Sequence, residues 1–174
     1  NRLGGAANVG LNLKALGATP ILCSVIGNDQ RGNDFTALLK KEGMPVDGII
    51  QCIDRITTTK FRVIGNNTQL LRVDEETTSM LTFDQHIQLW ERIEKLIDEN
   101  NIDVIVFQDY DKGVISQPLI EKVINKSILN NIPVVVDPKK LNFLNYKNAT
   151  LFKPNLKEIK EGLNIDFDVN NDVE

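Results

Sequence analysis

Apolar residues follow two rhythms along this chain: short continuous runs, and segments in which they recur every three or four positions. The first periodic segment follows Gly4-Gly5 at once. Ala6, Val9, Leu13 and Leu16 fall at helical spacing, and Gly17 supplies the usual stop. Residues 20–26 (PILCSVI) read as a buried strand, followed by Gly27-Asn28-Asp29. Phe35, Leu38 and Leu39 then predict an amphipathic helix closed by Gly43. Residues 57–64 (TTTKFRVI) and 68–73 (TQLLRV) alternate across a turn at Asn66-Asn67, which predicts a β-hairpin more polar than the other strands.

The second half continues the alternation. Thr82 and Gln85 fit a capping box at the start of a helix whose stripe is Ile87, Trp90, Ile93 and Ile97, with His86 read as a surface residue. Residues 103–107 (DVIVF), 133–136 (PVVV) and 150–152 (TLF) read as strands. Ser116 caps a helix carrying Ile120, Val123, Ile124 and Ile128, and a last helix begins near Leu156. Strands alternating with helices, several of them continuously apolar, predict an α/β protein with a parallel sheet covered on both faces.

Composition narrows the function. The chain has 174 residues, enough for one domain with a real core. A net charge of −4 with no block of like charge argues against bulk nucleic-acid binding and leaves room for local phosphate sites. Two cysteines, Cys23 in an apolar run and Cys52, favour a reducing, cytoplasmic setting over a disulfide scaffold. No apolar run reaches membrane-spanning length and no signal peptide is visible. The chain lacks an initiating Met, opens on a ligand-type loop and ends in the polar run 166–174, so it reads as part of a longer protein.

Candidate chemistry follows from topology. Gly4 and Gly5 allow a backbone to lie against a ligand, and the Asn8 amide both donates and accepts, which suits a polyhydroxylated ligand. A helix-start role for Asn8 is the competing reading. In parallel α/β sheets ligands bind beyond the carboxyl ends of the strands. Asp29, Asp109, Lys112, Asp137, Lys139, Lys153 and Asn155 follow strand ends, and Glu158 lies one turn beyond Asn155. Lysines neutralise phosphate oxygens and carboxylates hold Mg²⁺, so that edge suits phosphate chemistry. Taken singly, Asn155 with Glu158 is also an ordinary helix cap. No GxxxxGK[ST], GxGxxG, Ser-His-Asp or zinc-ligand spacing is present.

GGAANVGLNLKALGA, VIGNDQRG, DYDKG, VDPK and KPNLKE, in this order and spacing, resemble the ribokinase-like (PfkB) carbohydrate kinases. TTTKFRVI followed by QLLRVDEE is similar to their D-glycero-β-D-manno-heptose-7-phosphate kinase branch, which in many bacteria is fused to a nucleotidyltransferase. The resemblance implies a three-layer α/β/α sandwich with a mostly parallel sheet and a small β lid, incomplete in this chain. Residues 1–174 would be a partial kinase domain and 57–73 the lid hairpin. It implies ATP and Mg²⁺ as cofactors and transfer to the anomeric hydroxyl of a sugar phosphate. The pathway would be ADP-heptose synthesis for lipopolysaccharide core. Gly4, Gly5 and Asn8 would hold sugar hydroxyls, with Lys60 and Arg72 near the substrate and Asp109 and Lys112 facing its phosphate. Lys139, Lys153 and Asn155 would meet ATP phosphates, and Asp137 and Glu158 the metal.

The family's late GAGD-type turn, whose aspartate takes the proton, has no match in this chain, nor has its adenine pocket. No catalytic base is therefore assigned, and residues 1–174 alone are expected not to turn over ATP. The resemblance leaves open a homodimer through the lid and a fused nucleotidyltransferase domain, with neither nucleic acid nor membrane as partner. Another PfkB-type sugar or sugar-phosphate kinase, and a noncatalytic sugar- or nucleotide-binding domain, are the rival functions.

Overall fold

The computed structural model describes residues 1–166, so all but the first residue of the polar run 166–174 lies outside the described residues. The chain divides into two compact units, Asn1–Ile93 and Glu94–Glu174.

The first unit contains α1 (Ala6–Ala15), β1 (Ser24–Gly27), α2 (Gln30–Lys41), β2 (Ile49–Cys52), β3 (Thr59–Gly65) and β4 (Thr68–Glu75). Leu3, Ala7, Leu39 and Met44 form its core, with Leu11, Leu22, Phe35 and Leu38 packed against them. α1 turns Ala7 and Gly10 inward and leaves Leu16 exposed, so its buried face is offset from the expected stripe. A side chain at Gly10 would press on Leu22, which is how the helix lies close to the next segment. β1 and β2 pair in parallel from Ser24↔Ile49 to Gly27↔Cys52. The strand expected at 20–26 thus starts at Ser24, because only from there does a partner strand run beside it. β2 escapes a sequence reading: four residues carry no period.

β3 and β4 form an antiparallel ribbon that pairs with neither of the other sheets. Asn66 and Asn67 both take positive φ, 50° and 59°, the geometry of a two-residue hairpin turn that matches strand twist. The register Lys60↔Asp74, Phe61↔Val73, Arg62↔Arg72, Val63↔Leu71 sorts the side chains. One face is apolar (Phe61, Val63, Leu71, Val73) and the other charged (Lys60, Arg62, Arg72, Asp74). A bulge between Val63 and Ile64 inserts Leu70.

α3 (Phe83–Glu99) begins in the first unit and ends in the second. Its capping box forms as expected: the Thr82 amide donates to Gln85 Oε1 at 3.0 Å and the Gln85 amide to Thr82 Oγ1 at 3.4 Å. His86 is half-buried rather than fully at the surface.

The second unit contains β5 (Ile105–Gln108), α4 (Gln117–Leu129), β6 (Val134–Asp137), β7 (Leu151–Phe152) and α5 (Leu156–Leu163). The strands pair in parallel in the order β5-β6-β7. Phe107, Ile120, Val123, Val134, Val136, Phe143 and Tyr146 are buried. Phe143 meets Phe152 edge-on with ring centres 5.0 Å apart. α5 presses on the same ring, since a Cβ at Gly162 would lie 2.2 Å from Phe143. Full cover on both faces is not found among the described residues: Val106 and Leu151 remain 39% and 53% exposed.

Candidate active site

Parallel strands with the order β5-β6-β7 deliver three chain segments to one edge. Past β5 comes Asp109, past β6 Asp137-Pro138-Lys139, and past β7 Lys153-Pro154-Asn155 leading into α5. The structure therefore brings together Asp137, Lys139, Lys153, Asn155 and Glu158 within the second unit, with the Asp109 amide bonded to the Asp137 carbonyl at 3.1 Å and Lys112 on the loop beyond it.

Glu158 is 5% exposed, and both its carboxylate oxygens are engaged. Oε1 pairs with the Lys139 ammonium, and Oε2 accepts from the Asn155 amide at 2.7 Å. The Glu158 amide donates back to Asn155 Oδ1 at 2.9 Å, completing a capping box. Burial alone would raise the Glu158 pKa, but Lys139, the Asn155 amide and Lys153 outweigh it and the carboxyl lies below its ordinary value. Lys139 is the mirror case: desolvation pulls it down, and Glu158 and Asp137 leave it above its ordinary value. Asp137 accepts from Gln108 Nε2 and lies 3.6 Å from the Lys153 ammonium.

These carboxylates test the expected metal. No group of three or more His, Cys, Asp or Glu positioned to hold an ion exists among the described residues. A closed protein cage is thus absent there, and Glu158 has no oxygen clear of a donor. The donor set fits a hydrated Mg²⁺ met through water and phosphate oxygens, the habit of this ion, better than direct ligation.

Asp109 is 2% exposed and works inside the protein. It accepts from Tyr146 Oη at 2.7 Å, from Asn142 Nδ2 at 3.1 Å and from the Asp111 amide at 2.9 Å. Those bonds hold the loop that carries Lys112, so Asp109 acts as an anchor rather than as a group facing a phosphate. Tyr146 is raised above its ordinary pKa by burial and by the Asp109 charge, which keeps its proton on the bond. Asp111 takes a positive φ of 52°, and its Oδ1 is buried without a hydrogen-bond partner. Burial and Asp109 raise its carboxyl pKa. Sequence reasoning singles out neither Tyr146 nor Asn142, for the stretch 139–149 carries no period, and it gives Asp111 no role beyond its place in DYDKG.

In the first unit, Gly5 starts α1 with φ 54°, so the positive φ expected of the glycine pair is realised there. Space around Gly4 is open. The helix has no side-chain cap and Asn8 is exposed, which leaves the capping role unrealised. On the ribbon, Lys60 lies 2.7 Å from Asp74 and 3.3 Å from Glu76, while Arg72 grips Asp74 at 3.0 and 2.8 Å. The Arg72 and Lys60 bonds hold Asp74 down to about 2. The two ribbon cations expected near the substrate are thus matched by two carboxylates, Asp74 and Glu76.

An α/β fold of this kind is shared with solved sugar kinases. Phosphofructokinase-2 from Escherichia coli, in its tetrameric inhibited form, aligns with a TM-score of 0.70 at 19% identity, covering 92% of this chain and 52% of that one. 2-Dehydro-3-deoxygluconokinase from Thermotoga maritima aligns at 0.67 and 18%, covering 93% and 53%. The family model described as pfkB family carbohydrate kinase matches residues 1–174, and the chain belongs to that family. "Bifunctional protein HldE" of Helicobacter pylori is 36% identical over 166 residues, 95% of this chain. Its namesake in Campylobacter jejuni subsp. doylei is 41% identical over 164 residues, 93% of this chain. The chain spans about a third of the length of these relatives, 35% and 33%. No helix among the described residues is long and apolar enough to cross a membrane.

Proposed function

We propose that this chain is the sugar-binding part of an ATP-dependent kinase that phosphorylates the anomeric hydroxyl of D-glycero-β-D-manno-heptose 7-phosphate, on the way to ADP-heptose. The observation that carries the reading is the 36–41% identity to bifunctional HldE proteins over nearly the whole chain, added to the ordered motifs. Phosphoryl transfer needs positioning and charge neutralisation more than covalent chemistry. Gly4, Gly5 and Asn8 would bind sugar hydroxyls, and Lys112, on the loop that Asp109 anchors, would meet the sugar phosphate. Lys139, Lys153 and the start of α5 at Asn155 would receive the nucleotide phosphates. Mg²⁺ would neutralise phosphate oxygens, with Asp137 and Glu158 facing it through water. No residue of the chain is assigned as the catalytic base.

The apolar ribbon face supports a dimer built ribbon to ribbon, and the relatives' name supports a second, fused domain; a cytoplasmic setting follows from the reaction. A second reading, a kinase for an unphosphorylated sugar, is favoured by one observation: Lys60 and Arg72 are already neutralised by Asp74 and Glu76. Full-length protein assayed against heptose 7-phosphate, fructose 6-phosphate, ribose and fructose separates the two. Strong preference for the phosphorylated heptose is expected; equal turnover of the neutral sugars defeats the proposal.

A further inference from the structure

We propose that Asp29 and Thr57 form the joint that sets the stance of the β3–β4 ribbon, making them positioning residues for Lys60 and Arg72. The proposal rests on the reading of the ribbon as a substrate lid. A lone two-stranded ribbon is marginal in water, and this one pairs with neither of the other sheets. With no third strand to hold it, the ribbon depends on its root for orientation. Thr57, two residues before β3 begins, is 7% exposed. Its amide donates to Asp29 Oδ2 at 2.9 Å and its hydroxyl to Asp29 Oδ1 at 2.8 Å. The same hydroxyl accepts from the Gly27 amide at 2.9 Å. Asp29 also accepts from the Gly32 amide at 2.7 Å, capping α2. One carboxylate therefore ties the start of α2 to the root of the ribbon, and the Thr57 hydroxyl carries the tie on to the end of β1.

The surroundings leave this corner no slack. A Cβ at Gly27 would sit 2.4 Å from Asp29 Oδ2 and 2.5 Å from the Arg55 carbonyl oxygen. At Gly32 it would sit 2.3 Å from the Gly27 carbonyl oxygen and 3.1 Å from Thr57 Oγ1. The glycines of VIGNDQRG are thus explained by close approach around the joint. A further contact to the ribbon comes from the same corner: Arg31, in the first turn of α2, stacks 5.0 Å over Phe61. Burial would raise the Asp29 carboxyl, but the Thr57 and Gly32 donors hold it below its ordinary value.

Hydrogen exchange and steady-state kinetics on the full-length protein test the joint. Thr57→Val keeps the shape and removes the hydroxyl; Thr57→Ser restores it. Thr57→Val removes both bonds of the hydroxyl and is expected to speed amide exchange across 59–75 by about threefold at least, the lower worth of a single hydrogen bond, and by about tenfold or more if both bonds count. The KM for the sugar phosphate should rise by a similar factor, while exchange in 105–108 and the KM for ATP stay at parent values. Thr57→Ser should behave as the parent, and Asp29→Asn as Thr57→Val. Unchanged ribbon exchange, equal acceleration in 59–75 and 105–108, or a Thr57→Ser as impaired as Thr57→Val overturns the proposal. If Thr57→Val does not fold, Asp29→Asn against Thr57→Ser decides by the same criteria. Exchange needs no substrate: a loosened ribbon in a protein without sugar-kinase activity supports the joint and sinks the kinase reading.

Discussion

Replacing Glu158 by glutamine separates a structural clamp from a metal ligand. By sequence alone the change should cost little, because a glutamine still completes a capping box. The structure changes that expectation. The new side chain could keep its bond to the Asn155 amide, but it would turn an amide toward the Lys139 ammonium or leave that cation unpaired. The pair is half sheltered, with side-chain exposures of 33% for Lys139 and 6% for Glu158. Its worth therefore lies between the ~0–1 kcal/mol of exposed pairs and the ~3–5 kcal/mol of breaking a buried one. We expect a loss of about 1.5–3 kcal/mol, the usual worth of a hydrogen bond to a charged group. In a cooperative unit of about 150–250 residues that lowers the thermal midpoint by roughly 3–12 °C, and by less in a longer one.

Urea and thermal unfolding of the full-length protein, with Lys139→Met and the double variant, give the coupling directly. The double variant should lose less than the summed singles by about 1–2 kcal/mol. The pH dependence has a fixed sign. The folded Glu158 carboxyl lies below its ordinary value of 4.5, so its stabilisation is complete above that value and fades as pH falls through the folded pKa. Parent and Glu158→Gln should accordingly differ by a constant amount near pH 7 and converge in acid. Additive singles, or an unchanged midpoint with a weakened Mg²⁺ response, would refute the clamp and return Glu158 to the metal.

Tyr146→Phe removes one of the donors to the buried Asp109 carboxylate, and urea unfolding should record a loss of about 1.5–3 kcal/mol. No loss would mean that Asn142 and the Asp111 amide suffice. Asn8→Ala should weaken sugar binding by about 0.5–1.5 kcal/mol in calorimetry and leave nucleotide affinity unchanged. Equal sugar affinity would remove Asn8 from the site. Val63→Lys, on the exposed apolar ribbon face, should shift sedimentation toward monomer with stability within about 0.5 kcal/mol of the parent. An unchanged mass would place any assembly elsewhere.

The hairpin, the capping boxes at Thr82 and Asn155 and the parallel β5-β6-β7 edge were legible in the sequence because each rests on local signals: period, turn residues and cap spacing. The same rules placed Asp137, Lys139, Lys153 and Asn155 on one edge, since parallel strands deliver the residues after their ends to the same side. Four matters were left to tertiary structure. α1 buries Ala7 and Gly10 rather than its largest residues, because close packing on Leu22 and Met44 selects the small face. Asp109 anchors a loop through Tyr146 and Asn142, a pairing more than thirty residues apart in sequence that no local pattern encodes. Lys60 and Arg72 stand as substrate-side cations along the chain, yet Asp74 and Glu76 neutralise them once β3 and β4 pair. Thr57 looks like one threonine of three until folding sets it on Asp29. The sequence specifies which groups are present and which elements carry them. Which charges cancel, and which polar groups are spent inside the protein, depends on distances that only the folded chain defines.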